Sequence, residues 1–464
     1  MDWKKVGSWA LYDFANTIFS AIIVTIYLPK YLLHITGENK FMGYGVAVSM
    51  VLAGISVPIL GAIADRTRKN LQYLVITIFL TVFATILMPL KDSTFYILAC
   101  FILANLSYQI SLVFYNSLMP QICSQVNMGF VSGLGVGLGY IGVLFALLIA
   151  NQVYNHSIKN DLGNSELQVI LLKNVHSKEE LKKLENNAKV IELVKKLNIQ
   201  TKGKIDQKCL ERLRDLVYAR GERYNFYTAA LLLFIFSLPV MIFIPKEPDP
   251  QPFQFAIISE SLKELFQTVK NLGVHKAALF FFIGNFLCVD ALNTTIAWFA
   301  VYCEKVAGFT NAEFTNLMTY LNIFAGLAGF GVGYLADRWG AGRAFILSGS
   351  GLWIAIVIAV LFPTHKLLFS CALIFLAGTG LAGVWTTGRK LLLHLAPENK
   401  VGEYFGLYGM TGKLSSMGSL AFGLLADYWG YRIALSCQLI TLSIGLFFIY
   451  KCNALICLKD KESD

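Results

Sequence analysis

Gly61-Ala-Ile-Ala-Asp65-Arg66-Thr-Arg68-Lys69 and Gly333-Tyr-Leu-Ala-Asp337-Arg338-Trp-Gly340-Ala-Gly-Arg343 are one phrase written twice. Each copy ends a long apolar run with a glycine, then an acid, then a base, and each is followed by another apolar run. Two copies of one junction at equivalent places are what a duplicated helical unit requires. The glycines Gly61 and Gly333 permit close helix approach. Asp65 and Asp337 are placed to accept hydrogen bonds from, or pair with a cation on, the neighbouring bundle. Arg66, Arg68, Lys69, Arg338 and Arg343 also serve as anchors on the positive side of a membrane, a role that leaves the two acids unexplained. A third version, Gly423-Leu-Leu-Ala-Asp427-Tyr428-Trp-Gly430, lacks the arginine and falls on the opposite side, so it carries less weight.

Outward from these junctions the chain is dominated by apolar runs. Of its 464 residues 56% are hydrophobic and 15% charged, against roughly 45–50% and about 25% in an ordinary soluble domain. A bilayer-crossing helix needs about 20 mainly apolar residues. Twelve runs qualify, from 9–32 at one end to 433–451 at the other, with the eleventh at 403–425. The expectation is therefore an all-α membrane protein of about twelve transmembrane helices in two six-helix pseudo-symmetric bundles. The first run has no small-residue cleavage site and is expected to stay in place. Nine cysteines include Cys100, Cys288, Cys371 and Cys437 inside apolar runs, without CxxC spacing, and read as small hydrophobes.

Basic residues concentrate in alternate short loops, which places both termini in the cytoplasm and both repeated junctions on the cytoplasmic side. The organisation expected is residues 1–152 for the first five helices, 153–224 for an insertion on the outer side, 225–244 for the sixth helix, 245–276 for a cytoplasmic linker, and 277–464 for the second bundle with a short tail. The insertion holds a capping box at Ser177-Lys-Glu-Glu180, an apolar stripe from Leu181 to Leu197, and a second amphipathic stretch from Asp206 to Tyr218, the makings of a small folded cap. The linker opens with Pro245-Lys-Glu-Pro-Asp-Pro-Gln-Pro252, a stiff spacer. Ile257, Leu262, Leu265, Phe266 and Val269 after it form a stripe suited to a helix lying in the membrane interface.

A charge inside a span costs on the order of 2.5–3.5 kcal/mol on insertion scales, so each one needs a reason. Asp290 and Lys413 fall near the middle of the seventh and eleventh expected spans, and Asp13 about one turn into the first. Asp13-x-x-Asn16-Thr17 in the first helix is matched by Asp290-x-x-Asn293-Thr294 in the seventh, its equivalent in the second bundle. Residues three apart share a helix face, so the two pairs are expected to line one central cavity. Lys413 suits a partner acid or a substrate carboxylate, and a carboxylate at mid-depth such as Asp290 is a candidate proton carrier. Asn105, Tyr108 and Gln109 in the fourth helix and Trp385, Thr386 and Thr387 in the tenth add polar groups. The candidate solute and ion ligands are thus Asp13, Asn16, Asp290, Asn293, Lys413, Asn105, Gln109 and Trp385. Arg389, at the expected end of the tenth helix, reads as an interfacial anchor.

Other functions leave no trace. Gly137-Leu-Gly139-Tyr-Ile-Gly142 satisfies GxGxxG, but it lies within one apolar helix rather than between strand and helix. Gly133 with Gly137, and Gly135 with Gly139, are instead small-xxx-small pairs for tight helix packing. The six histidines form no HExxH or similar set, so no enzyme, metal or cofactor site is expected. The net charge of +10 is scattered at span ends, where a bilayer rather than nucleic acid is the partner.

The duplicated junction resembles the signature loop of the major facilitator superfamily. Trp9-Ala-Leu-Tyr-Asp13-Phe-Ala-Asn16-Thr and Gly402-Glu-Tyr-Phe-Gly-Leu-Tyr-Gly-Met-Thr-Gly-Lys413-Leu-Ser resemble, more narrowly, its autophagy-related vacuole effluxer branch, as do Ser132–Tyr140, Val289–Thr295 and Arg389–Pro397. That resemblance implies the major facilitator fold, alternating access with Gly61, Asp65, Arg66, Gly333, Asp337 and Arg338 as a cytoplasmic gate, and export of small polar solutes, amino acids among them, with protons as a possible co-substrate. It places the protein in the plasma (inner) membrane of a bacterium or a vacuolar-type membrane of a eukaryote, with no obligate protein partner. The alternative function is a membrane receptor or scaffold that uses residues 153–224 as a recognition module.

Overall fold

In a computed structural model, residues 1–38, 40–162, 188–196 and 207–463 are described. Regular structure among them is helical. Eleven helices are long and apolar enough to cross a membrane: Trp3–Thr36, Lys40–Thr67, Asn70–Leu90, Thr94–Ser117, Gln125–Lys159, Lys208–Phe243, Lys276–Lys305, Ala312–Trp339, Ala341–Leu361, Lys366–Leu395 and Tyr431–Lys459. The remaining expected span, at 403–425, is built from two helices in tandem, Val401–Leu414 and Ser416–Trp429, each too short to count alone. With it the spans number twelve among the described residues, and they are numbered here in chain order. The linker contributes one further helix, Ala256–Asn271, between spans 6 and 7.

Several spans depart from regular α geometry, and the departures in spans 1 and 11 lie beside the cavity described below, which Ser20 and Lys413 line. Span 1 carries a π-helical stretch at Ser20–Tyr27 and span 10 another at Ala372–Ala377. Such stretches appear frequently at functional sites. Span 11 is interrupted at Ser415, two residues beyond Lys413.

The two halves meet through two crossed pairs, span 5 against span 8 and span 2 against span 11. Without a hydrophobic driving force between helices in lipid, close approach depends on small residues. A Cβ on Gly133 would overlap the Gly329 carbonyl oxygen, and one on Gly61 would overlap that of Gly402. On span 5, Gly133 and Gly137 face span 8, whereas Gly135 and Gly139 face Asp13 and Thr17 of span 1. One glycine-rich helix thus packs tightly on two sides.

The insertion differs from the expected folded cap where it is described. The amphipathic stretch from Asp206 to Tyr218 is no separate element: from Gln207 onward it is the first part of the helix Gln207–Phe243 that becomes span 6. Its polar side chains fix it to the other helix ends. His34 Nδ1 meets the Glu222 carboxylate at 2.9 Å, and Arg223 donates to Asp92 at 2.8 Å. Ala188–Lys196 is a short helix within the expected 181–197 stripe. The capping box at 177–180 lies outside the described residues. The proline-rich spacer is also tied down, since Glu247 accepts from the Leu71 amide at the start of span 3 and the Gln251 amide donates to the Thr67 carbonyl.

Candidate functional site

A cavity of about 420 Å³ opens between the halves. Spans 1, 4, 7, 10 and 11 bring to it Asp13, Asn16, Tyr108, Gln109, Asn116, Asn293, Trp385, Arg389, Tyr408 and Lys413. Its centre is an ion pair that joins the two bundles: Arg389 Nη1 in span 10 donates to Asp13 Oδ2 in span 1 at 2.9 Å, and both side chains are buried. The other Asp13 oxygen accepts from Asn16 Nδ2 at 3.3 Å, one turn along the same helix. The guanidinium lies over the rings of Trp9 at 5.8 Å and Tyr115 at 5.7 Å. Those rings stack on each other with centroids 4.3 Å apart, fixed by a bond from Trp9 Nε1 to the Tyr115 carbonyl. The charge on Arg389 is thereby held by one carboxylate and two π-faces, a replacement for the water it loses.

Arg389 overturns an expectation. It is no interfacial anchor, because span 10 continues to Leu395 and keeps Arg389 inside the bundle, 9% exposed. The anchoring position goes to its neighbour Lys390, which turns about 100° round the helix and bonds the Asp337 carboxylate and the Ala336 carbonyl. Two adjacent basic residues, only one needed at the interface, were the available signal.

The expected ligands divide. Asp13, Asn16, Gln109, Asn293, Trp385 and Lys413 line the cavity. Asp290 and Asn105 do not. The Asp290 carboxylate packs so closely on Gly418 that no Cβ fits there. Asn105 is fully buried and donates to Ser49 Oγ of span 2 at 2.7 Å, a contact between helices. The matched motifs of spans 1 and 7 are therefore used unequally. Asp13 and Asn16 both reach the cavity, whereas in span 7 only Asn293 does, bonded to Ser415 Oγ at 2.9 Å where span 11 is interrupted. Thr386 and Thr387 are buried in helix packing. Tyr408 and Asn116, which the sequence reading did not single out, line the cavity, and the Tyr408 hydroxyl and Asn116 Oδ1 are buried with no hydrogen-bond partner among the described residues. Such groups are costly unless a ligand or water meets them.

At the end of the bundle that carries the termini, the duplicated junctions form two equivalent clasps. Asp65 of span 2 accepts the backbone amides of Gly402 and Glu403, at 2.7 and 2.8 Å, at the start of span 11. Asp337 of span 8 accepts those of Gly129 and Phe130, at 2.7 and 2.8 Å, at the start of span 5. Each acid satisfies otherwise unpaired amides of a helix N-terminus in the opposite half, where the helix dipole also favours negative charge. The bases differ. Arg66 holds Glu260 and Glu264 of the linker helix, while Arg338 lies over the ring of Tyr334 at 4.8 Å. Among the described residues the third copy of the phrase has no such partner, and Asp427 is exposed.

Comparison with known proteins agrees with this architecture. Residues 216–419 match the model of the Major Facilitator Superfamily, and residues 36–173 match that of the vacuole effluxer Atg22-like family. The uncharacterized MFS-type transporter YxiO of Bacillus subtilis is 22% identical over 92% of this chain and 89% of its own length. A protein of Aquifex aeolicus is 26% identical over 96% of both chains. Autophagy-related protein 22 of Vanderwaltozyma polyspora is 23% identical over 44% of this chain and 42% of its own. Among solved structures, the transporter FucP in its outward conformation superposes with a TM-score of 0.67 at 12% identity, covering 96% of this chain and 98% of that one. A bacterial homologue of the iron transporter ferroportin in the outward-facing state gives 0.64 at 14% identity, over 97% and 99%. The chain has the major facilitator fold and resembles the Atg22-like effluxers; it is a multi-pass membrane transporter of solutes.

Proposed function

We propose that this transporter carries a small zwitterionic solute, an amino acid, through the central cavity by alternating access. One observation supports the reading most strongly: the acidic and basic side chains lining the cavity are Asp13, Arg389 and Lys413, set among the amides of Asn16, Gln109, Asn116 and Asn293. A solute bearing both a carboxylate and an ammonium group complements that set. Its carboxylate takes a place on Arg389 or Lys413, its ammonium replaces Arg389 on Asp13, and the Asn116 oxygen and Tyr408 hydroxyl gain partners. Because Asp13 and Arg389 belong to opposite halves, a solute that separates them changes what joins the bundles.

The duplicated clasps supply the second half of the cycle. With Asp65 and Asp337 engaged, the helices at the terminal end are drawn together, and the cavity communicates with the opposite side. Releasing both clasps lets the halves rock about the bound solute. The excess of Lys and Arg in the loops at this end makes it the cytoplasmic one, in a bacterial plasma membrane or a eukaryotic vacuolar-type membrane. Residues 1–152 with 225–244, and 277–464, are then the two rocking bundles.

The test is flux of labelled amino acids in proteoliposomes, with and without a pH gradient, for the unsubstituted protein, Asp13→Asn and Lys413→Ala. Movement that is lost in the variants supports the reading. Full movement in Asp13→Asn removes the ion pair from the mechanism, and no movement of any amino acid by folded unsubstituted protein removes the substrate class.

A further inference from the structure

We propose that the linker helix Ala256–Asn271 is a binding surface for anionic phospholipid. The helix presents three faces. Ser261 and Thr268, two turns apart, are buried against the bundle, and Lys400, just before span 11, donates to Thr268 Oγ1 at 2.8 Å. About a third of the way round lie Leu262, Phe266 and Val269, spaced four and three residues apart. All three are exposed, Phe266 to 73%. The remaining arc is polar, with Glu260 and Glu264 nearest the bundle and Lys263 and Lys270 bordering the apolar stripe.

The occupant follows from depth and charge. Arg66 ends span 2 and Lys400 precedes span 11, so the two attachments hold the helix across the ends of membrane-crossing helices, at the level where hydrocarbon gives way to headgroups. An apolar stripe at that level continues the lipid-facing surface of the spans. Lys263 and Lys270 are two turns apart in one line at its polar border, where an ammonium group meets a lipid phosphate while its stem stays in the apolar layer. The carboxylates that would repel an anion are engaged elsewhere, because Arg66 binds both Glu260 and Glu264. The charge presented beside the stripe is therefore basic. The same arginine follows the clasp residue Asp65 directly, so lipid held on one side of the helix lies one side chain from the gate on the other.

The experiment is hydrogen exchange of residues 256–271 in the full chain, in nanodiscs of phosphatidylcholine alone and of phosphatidylcholine with phosphatidylglycerol, using exchange in the spans as the internal control. Each basic side chain near an anionic surface shifts the balance roughly fivefold. Exchange of the linker helix is expected to slow on the order of tenfold or more with phosphatidylglycerol. Lys263→Gln/Lys270→Gln should erase that difference, and Leu262→Ser/Phe266→Ser should speed exchange in both discs. Equal exchange of the unsubstituted protein in the two discs overturns the proposal, as does a difference that survives the lysine substitutions. Slowing by inorganic phosphate in phosphatidylcholine discs would assign the lysines to a soluble anion and overturn it too. The readout is independent of transport, so it stands or falls apart from the nature of the solute.

Discussion

Removing the charge of Arg389 while keeping its bulk isolates the inter-bundle ion pair. In Arg389→Met the thioether still fills the space beside Trp9 and Tyr115, but Asp13 keeps only the Asn16 amide at 3.3 Å. Breaking a buried pair costs about 3–5 kcal/mol; the cavity next to Asp13 admits water, so the lower end, about 3 kcal/mol, is expected. Asp13→Asn leaves the guanidinium over two aromatic faces, each contact offsetting about 1 kcal/mol, and its cost is nearer 2 kcal/mol. Asp13→Asn/Arg389→Met buries no charge and should lie within about 1 kcal/mol of the parent. The coupling between the two sites is then at least about 4 kcal/mol, large for neighbouring residues. Reversible unfolding of the purified protein in mixed micelles gives all four stabilities. Additive effects, with a coupling under about 0.5 kcal/mol, would refute the buried pair. Transport provides a separate outcome, since the stable double variant has lost the groups proposed to bind solute and should stay inactive.

Asp290→Asn, at a carboxylate turned onto Gly418 and away from the cavity, should retain solute flux that Asp13→Asn loses; equal loss in both would restore Asp290 to the transport site. Gly133→Val places a side chain against the Gly329 carbonyl and should force spans 5 and 8 apart at the terminal end, read as a longer distance between spin labels on the two halves; an unchanged distance would refute the close contact. The Arg66 hydrogen bonds hold the Glu264 carboxyl below its ordinary pKa. A lowered folded-state pKa contributes to docking above the unfolded value, and that contribution disappears as pH falls through the folded one. Exchange protection of the linker helix should therefore persist through the ordinary glutamate range and fail only on further acidification, while Arg66→Ala should shift that failure to higher pH.

Much of the architecture lies on the surface of the sequence, because the forces that set it are local or periodic. A bilayer demands long apolar runs whatever the tertiary packing, and eleven of the twelve expected spans meet the length and hydropathy requirement as single helices. The twelfth does not, because Ser415 interrupts it beside the cavity. The repeated Gly-x-x-x-Asp phrase indicates a duplicated unit, and the glycine spacing of span 5 is that of a tightly packed helix. Asp13 and Lys413 stand out because isolated charges in apolar runs are costly, and both line the cavity.

What a charge faces is another matter. One residue of helix rotation is about 100°, so Arg389 and Lys390, adjacent in sequence, serve the cavity and the gate respectively. Asp13 and Asp290, alike in motif, diverge because the second packs on Gly418 while span 10 brings an arginine to the first. Asn105 and Gln109 share a helix face, yet only the deeper packing of span 2 takes Asn105 out of the cavity through Ser49. The clasps are equally tertiary: the sequence supplies two acids, and only the exchange of helices between halves provides each with a helix N-terminus to bind. Composition and periodicity determine which segments cross the membrane and that they are paired. The rotation of each helix and its approach to the opposite half decide which polar groups meet, because a side chain's direction is set by its neighbours in space.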